Sequence, residues 1–219
     1  MAVKVSDSIG EVSTILTRPE GAKWLLVLGH GAGAPMTHAW MEAMTQALAD
    51  EGIATLRYNF PYMEKKRGVP DSKPVLYRTV RAACEVGAEQ GLPMLAGGKS
   101  MGGRMTSSAY ADAPLVGVRG LVFFGFPLHP AGKPGTERAA HLSNVAVPML
   151  FLQGTQDSLA DLDLLRPICE GLGARATLIT IEMADHGFHV PKKSGQTDAG
   201  VLVMLARQVR TWAESLDQS

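Results

Sequence analysis

Apolar positions along the 219-residue chain come in two kinds of run, and the two kinds alternate. Short unbroken runs, such as Trp24-Leu25-Leu26-Val27-Leu28, have no polar face and read as strands buried on both sides. Between them lie longer segments in which apolar residues recur every three or four positions, as at Trp40, Met44, Ala47 and Leu48, the spacing of one helical face. On this pattern strands are predicted at 24–28, 53–58, 94–98, 120–124, 147–152 and 176–182. Helices are predicted at 38–50, 75–90, 101–111, 162–172 and 200–216. The first twenty residues are expected to supply one or two antiparallel edge strands.

Strands alternating with helices predict an α/β fold: a three-layer α/β/α sandwich around a mostly parallel, doubly wound sheet. One domain is expected over residues 1–219, with no separate cap domain and no internal repeat or linker. In such sheets, sites form at the carboxyl ends of strands. The longest irregular pieces, 59–73 and 126–135, both follow strands and are expected to lie over the site. Without a cap, the pocket should be shallow and open, suited to small or extended substrates.

Composition narrows the partners. With 21 basic and 21 acidic residues the formal charge is zero, so nothing electrostatic points to nucleic acid or an anionic membrane. The two cysteines, Cys84 and Cys169, fall in helical segments without metal-ligand spacing, which favours a reducing compartment and no metal site. Residues 1–20 lack a basic start followed by an apolar run, and no apolar stretch is long enough to cross a bilayer. A cytoplasmic location is the expectation.

The chemistry is carried by three turns. Gly98-Lys99-Ser100-Met101-Gly102 matches G-x-S-x-G, follows a strand and opens a helix, the setting of a nucleophile elbow. The plain alternative is a glycine-rich turn before a helix. A serine hydroxyl needs a positioned base. His186 follows the 176–182 strand and Asp157 follows the 147–152 strand, so nucleophile, acid and base occur in the order an elbow serine requires. His189 competes for the role of base, and Asp185 and Asp161 for that of acid. The plain alternative for Asp157 is a turn aspartate that caps the next helix. His30, His38 and His141 are read as structural or surface groups. The oxyanion donors expected are the backbone N–H of Met101 and, from the Gly29-His30-Gly31-Ala32-Gly33 loop, that of Ala32, with Gly31 and Gly33 beside it. A phosphate-binding loop is disfavoured, since Pro93 stands where its first glycine would be. No metal or organic cofactor is expected.

Together these segments resemble the α/β-hydrolase superfamily over nearly the whole chain. Within it, the similarity is to a small uncapped group related to dienelactone hydrolases, which includes the hydrolase-like testis-expressed and NSL chromatin-complex regulatory proteins. The local matches are Gly29 to Gly33, Asn59-Phe60-Pro61-Tyr62, the Lys99-Ser100-Met101-Gly102-Gly103-Arg104 run and Pro127-Leu128-His129-Pro130. The resemblance implies an α/β-hydrolase fold and acyl transfer to water. Dienelactone hydrolases proper carry a cysteine nucleophile, where this chain has Ser100.

The expected activity is serine-dependent hydrolysis of an ester or thioester of a small-molecule acyl substrate through an acyl-enzyme, with amidase or peptidase chemistry behind it. The alternative from another class is a hydrolase-like binding or scaffold protein with little turnover. Gly31, Tyr62 and His129 are candidate substrate contacts; His129 could equally bond a neighbouring loop. Lys65-Lys66-Arg67 is either a solvated cluster or an attractor for an anionic substrate group. Arg104 is expected to tie the elbow helix to a nearby acidic residue. Oligomeric state is not legible.

Overall fold

The computed structural model describes residues 2–217. One sheet of eight strands runs in the order β1 (Ala2–Ser6), β2 (Gly10–Thr17), β4 (Ile53–Tyr58), β3 (Trp24–Gly29), β5 (Met94–Lys99), β6 (Val118–Phe124), β7 (Met149–Gly154) and β8 (Ala176–Ile181). The β1–β2 and β2–β4 pairs are antiparallel, and every later pair is parallel. The expected edge strands are therefore an N-terminal hairpin added to a parallel sheet.

The unbroken apolar runs are explained by burial on both faces. In β3, Trp24, Leu26 and Leu28 point to the layer formed by α1 (Ala39–Asp50) and α6 (Asp198–Ser215), where they meet Met44, Leu48 and Leu205. Leu25 and Val27 point the other way, to the layer of α3 (Lys73–Ala88), α4 (Met101–Asp112) and α5 (Leu162–Leu172). Alternate residues of a strand face opposite sides, so a strand between two helical layers has no position left for a polar side chain.

Element ends depart from the apolar pattern where capping chemistry sets them. His38 is the N-cap of α1 rather than its first residue; its imidazole accepts the Trp40 N–H at 3.2 Å. Helix α3 starts earlier than expected because Pro74 fits a first turn, where no N–H donor is needed. Thr197 caps α6 by accepting the Gly200 N–H at 3.1 Å. Strand β7 begins just after Pro148, which cannot donate to the ladder but whose carbonyl accepts the Leu121 N–H at 2.9 Å. A single turn, α2 (Pro61–Glu64), is too short to show a helical period.

The topology places a crevice. From β3 the chain turns to the α1 face, whereas from the adjacent β5 it turns to the α4 face. Loops that leave neighbouring strands in opposite directions part above the sheet and leave an opening at their carboxyl ends. The Gly29 to Gly33 loop and Ser100 stand on its two sides.

Candidate active site

Ser100 joins β5 to α4 with φ 51° and ψ −115°, a left-handed backbone that costs a non-glycine residue free energy. The neighbouring chain holds it there. The Ser100 N–H donates to the Phe124 carbonyl and its own carbonyl accepts from Arg104 N–H, both at 3.1 Å. The flanking glycines are steric requirements: a Cβ on either Gly98 or Gly102 would lie 2.3 Å from the Gly29 carbonyl oxygen. Packing β5, the turn and α4 this closely against the end of β3 lifts the Ser100 side chain into the crevice.

A hydrogen-bonded chain leads away from its hydroxyl. Ser100 Oγ lies 2.9 Å from His186 Nε2, and His186 Nδ1 lies 2.7 Å from Asp157 Oδ2. Because a carboxylate only accepts, Nδ1 carries the ring proton and Nε2 is left to accept from the serine. Asp157 is held in turn: Oδ2 also accepts from Gln153 Nε2 at 2.6 Å, and Oδ1 from the Leu159 N–H at 2.8 Å. The Asp157 side chain is fully buried and that of His186 is 25% exposed, so the carboxylate end is dry and the imidazole is reachable.

The opposite wall is as tightly organised. His30 Nε2 accepts the Phe60 N–H at 3.0 Å, so its Nδ1–H donates to the Gly31 carbonyl at 2.7 Å. Burial lowers the His30 pKa to about 4, which keeps this ring neutral and its two bonds intact. The Tyr62 hydroxyl donates to the Ala32 carbonyl at 2.7 Å. These side chains pin both ends of the Gly31-Ala32 segment. Among the described residues the N–H groups of Ala32 and Met101 donate to no protein acceptor, and Met101 is the first residue of α4, where the helix dipole favours negative charge.

Two arms of one cleft meet at Ser100 and Ala32. One, of about 390 Å³, is bounded by Gly31, Trp40, Met41, Lys99, His186 and Gly187. The other, of about 330 Å³, runs over Leu76, Met101, Met105 and Pro127 to Arg104 and Arg138. Lys99 occupies the floor of the first. Its Nζ donates to the His186 carbonyl and stands 5.5 Å from the Trp40 ring centroid and 5.1 Å from that of Phe188. Burial draws its pKa down to about 8, against the opposing pull of Asp157 and Asp185.

Other residues singled out from the sequence are placed as follows. Gly31 lines the first arm. Tyr62 is buried behind the Ala32 loop, and neither it nor His129 borders either arm. His129 has both ring nitrogens engaged: Nε2 accepts the Asp161 N–H at 2.9 Å and Nδ1 donates to the Pro130 carbonyl at 2.9 Å, so it clamps its loop to the start of α5. Arg104 departs from expectation, for no acidic residue bonds it and its buried Nε is unpartnered among the described residues. Arg67 is paired with Asp71, while Lys65 and Lys66 are exposed. The rivals of the Asp157–His186 pair have other partners. Asp161 caps α5, Asp185 Oδ1 accepts the His189 N–H, and His189 pairs with Asp198 on the surface.

Trp40, Lys99 and Gln153 join the site without a motif that announces them. Lys99 has the nearest thing to a signal, as the variable residue before the elbow serine. Gln153 had none, because a polar residue at a strand end looks like any other until its carboxylate partner folds against it. Among the described residues no three His, Cys, Asp or Glu side chains cluster as a metal site, and no helix is long and apolar enough to cross a membrane.

Comparison with known proteins agrees with this architecture. Residues 22–214 match the model of a family described as an alpha/beta hydrolase domain. A serine hydrolase without a lid from Xanthomonas campestris superposes with a TM-score of 0.75 at 21% identity, covering 97% of this chain and 93% of its own. A dienelactone hydrolase from Anabaena variabilis gives 0.74 at 22% identity, with 97% and 94% covered. The esterase domain of a Rhodothermus marinus protein gives 0.68 at 16% identity, with 96% and 97% covered. These structural likenesses establish the shared fold, and the family match over residues 22–214 establishes that the chain belongs to the alpha/beta hydrolase family.

Proposed function

We propose that the protein is a serine esterase acting on a carboxylic ester or thioester of a small acyl substrate, with Ser100 as nucleophile, His186 as base and Asp157 as the acid that orients it. The observation that carries this reading is the continuous chain from Ser100 Oγ through His186 to a buried, doubly supported Asp157, at 2.9 and 2.7 Å. Three features beyond the contacts favour turnover over a vestigial arrangement: the strained elbow, the reachable base and two unengaged N–H groups beside the serine.

Ser100 Oγ attacks the acyl carbon as His186 Nε2 takes its proton. Asp157 steadies the resulting imidazolium, and the N–H groups of Met101 and Ala32 receive the developing oxyanion. His186 then passes the proton to the departing alcohol or thiol, and the carbon–heteroatom bond breaks. Water, deprotonated by the same His186, attacks the acyl-enzyme and releases the acid with Ser100 restored. The structural neighbours described as a dienelactone hydrolase and an esterase domain make ester bonds the natural first substrates to try.

The test is labelling by a fluorophosphonate probe, with an ester panel alongside. Wild type should label, and Ser100→Ala should not. If folded wild-type protein takes up no probe and turns over no ester, the hydroxyl is not activated and a binding or scaffold role replaces the esterase reading.

A further inference from the structure

The second arm of the cleft carries more positive charge than its surroundings neutralise. Lys73 at the start of α3, Arg104 in the first turn of α4, and Arg138 in the 3₁₀ segment Glu137–Asn144 all border it. Among the described residues none of the three takes part in an ion pair. Arg104 is half-buried, and its Nε is shut off from solvent without a hydrogen-bond partner. Among the described residues the one carboxylate bordering the arm is Asp71; its charge is matched by Arg67 on Oδ1, and its buried Oδ2 has no hydrogen-bond partner.

Neighbouring groups register the same field. Burial and the Arg138 charge lower the Arg104 pKa, with Tyr77 pulling the other way. His141, nearby, is lowered to about 4 by burial and by Arg104 and Lys73. Three cations converge on one space, and a half-buried guanidinium without an acceptor is costly until an anion supplies one.

The arm also has a direction. A leaving group must sit where His186 can protonate it, and His186 borders the first arm and not the second. The second arm, bordered by Ala32, Ser100 and Met101, therefore receives the acyl chain.

We infer that the acyl part of the substrate ends in a carboxylate, bound by Arg104 with Arg138 and Lys73 around it, so that the enzyme hydrolyses half-esters or half-thioesters of dicarboxylic acids. The inference rests on the Ser100 reading. Ser100 Oγ forms the new bond to the ester carbonyl carbon, the bond to the alcohol breaks, and water completes the cycle. The products are the alcohol and a dicarboxylate, the distal carboxylate being unchanged throughout. Guanidinium suits this role because its fork of N–H donors matches a carboxylate.

Two pairs matched in carbon number test it: 4-nitrophenyl hemiadipate against 4-nitrophenyl hexanoate, and 4-nitrophenyl hemisuberate against 4-nitrophenyl octanoate. In at least one pair, wild-type kcat/KM should favour the acidic ester by about tenfold at low salt, the scale of one charge-assisted hydrogen bond. The preference should shrink as sodium chloride screens the rim cations. Arg104→Met should abolish the preference and Arg104→Lys retain part of it. Should Arg104→Met fail to fold, Arg138→Met and the wild-type salt series carry the same test. If the neutral esters are cleaved and Ser100 labels with the probe, but the acidic esters gain no advantage in either pair, this inference falls and the esterase reading stands. If wild type neither labels nor cleaves any of the four esters, both fall together.

Discussion

Of the three serine–histidine contacts among the described residues, the two shortest are nearly equal in length and differ in almost everything else. Ser100 Oγ lies 2.9 Å from His186 Nε2, and Ser107 Oγ lies 2.8 Å from His141 Nε2. Ser100 stands on a strained turn facing a cleft; Ser107 is buried inside regular α4. His186 has Asp157 behind its Nδ1, whereas no carboxylate bonds His141. The Arg104 carbonyl, 3.0 Å away, competes for the Ser107 hydroxyl proton. Burial and two cations hold His141 at about 4, the wrong direction for a base that must become imidazolium. A serine–histidine hydrogen bond is thus a packing solution unless an acid, a cleft and an exposed hydroxyl accompany it.

The comparison is broken most severely at the serines. Ser100→Ala should lower kcat by about 10⁶-fold, while Ser107→Ala stays within about twofold. Steady-state hydrolysis of one neutral ester by both variants decides it, and equal losses would erase the distinction drawn between the pairs. Next in size is the acid. Asp157→Asn keeps the shape but no longer favours the Nδ1–H tautomer, and kcat should fall by about 10⁴-fold.

Lys99 sharpens the contrast at smaller amplitude. Its ammonium bonds the His186 backbone carbonyl, so Lys99→Met should misplace the imidazole and reduce kcat by about tenfold with little change in KM. Wild-type kcat should also decline as pH rises through about 8, where that ammonium loses its proton, and the variant should lack this decline.

The smallest effect concerns stability. His30 and His141 sit near 4 when folded, below their ordinary 6.5, so the unfolded chain binds more protons between those values. Their stabilising contribution is complete above about 6.5 and is lost as pH falls toward 4. Thermal melts across this window should show the decline, and His141→Leu should flatten it. A variant melting curve with the same acid slope as wild type would remove His141 from the account.

How much of this was legible beforehand differs by element. The 24–28 run announced a strand buried on both faces because it left no polar position, and β3 is such a strand. The G-x-S-x-G spacing carried real geometry, since Gly98 and Gly102 are both needed for the approach to Gly29. Asp157 and His186 could be chosen over their neighbours because each follows a strand directly, and in this topology strand ends share one edge of the sheet. The unpaired state of Arg104 could not be read locally, because its surroundings come from α3 and from the segment before β7, far away in sequence. Of the two readings open for His129, substrate contact or a bond to a neighbouring loop, packing delivers the second: both its nitrogens are spent on backbone groups.

The periodicity of apolar residues, the glycines at the elbow and the chain order of serine, acid and histidine are local or ordinal properties, written directly in the amino acids. Which histidine meets which serine, which cations go unpaired and which side of Ser100 they border are relations between segments dozens of residues apart. No window of sequence contains such relations. They arise when the two helical layers close on the sheet and exclude water from the groups between them, leaving each buried polar atom with only the partners that packing has delivered.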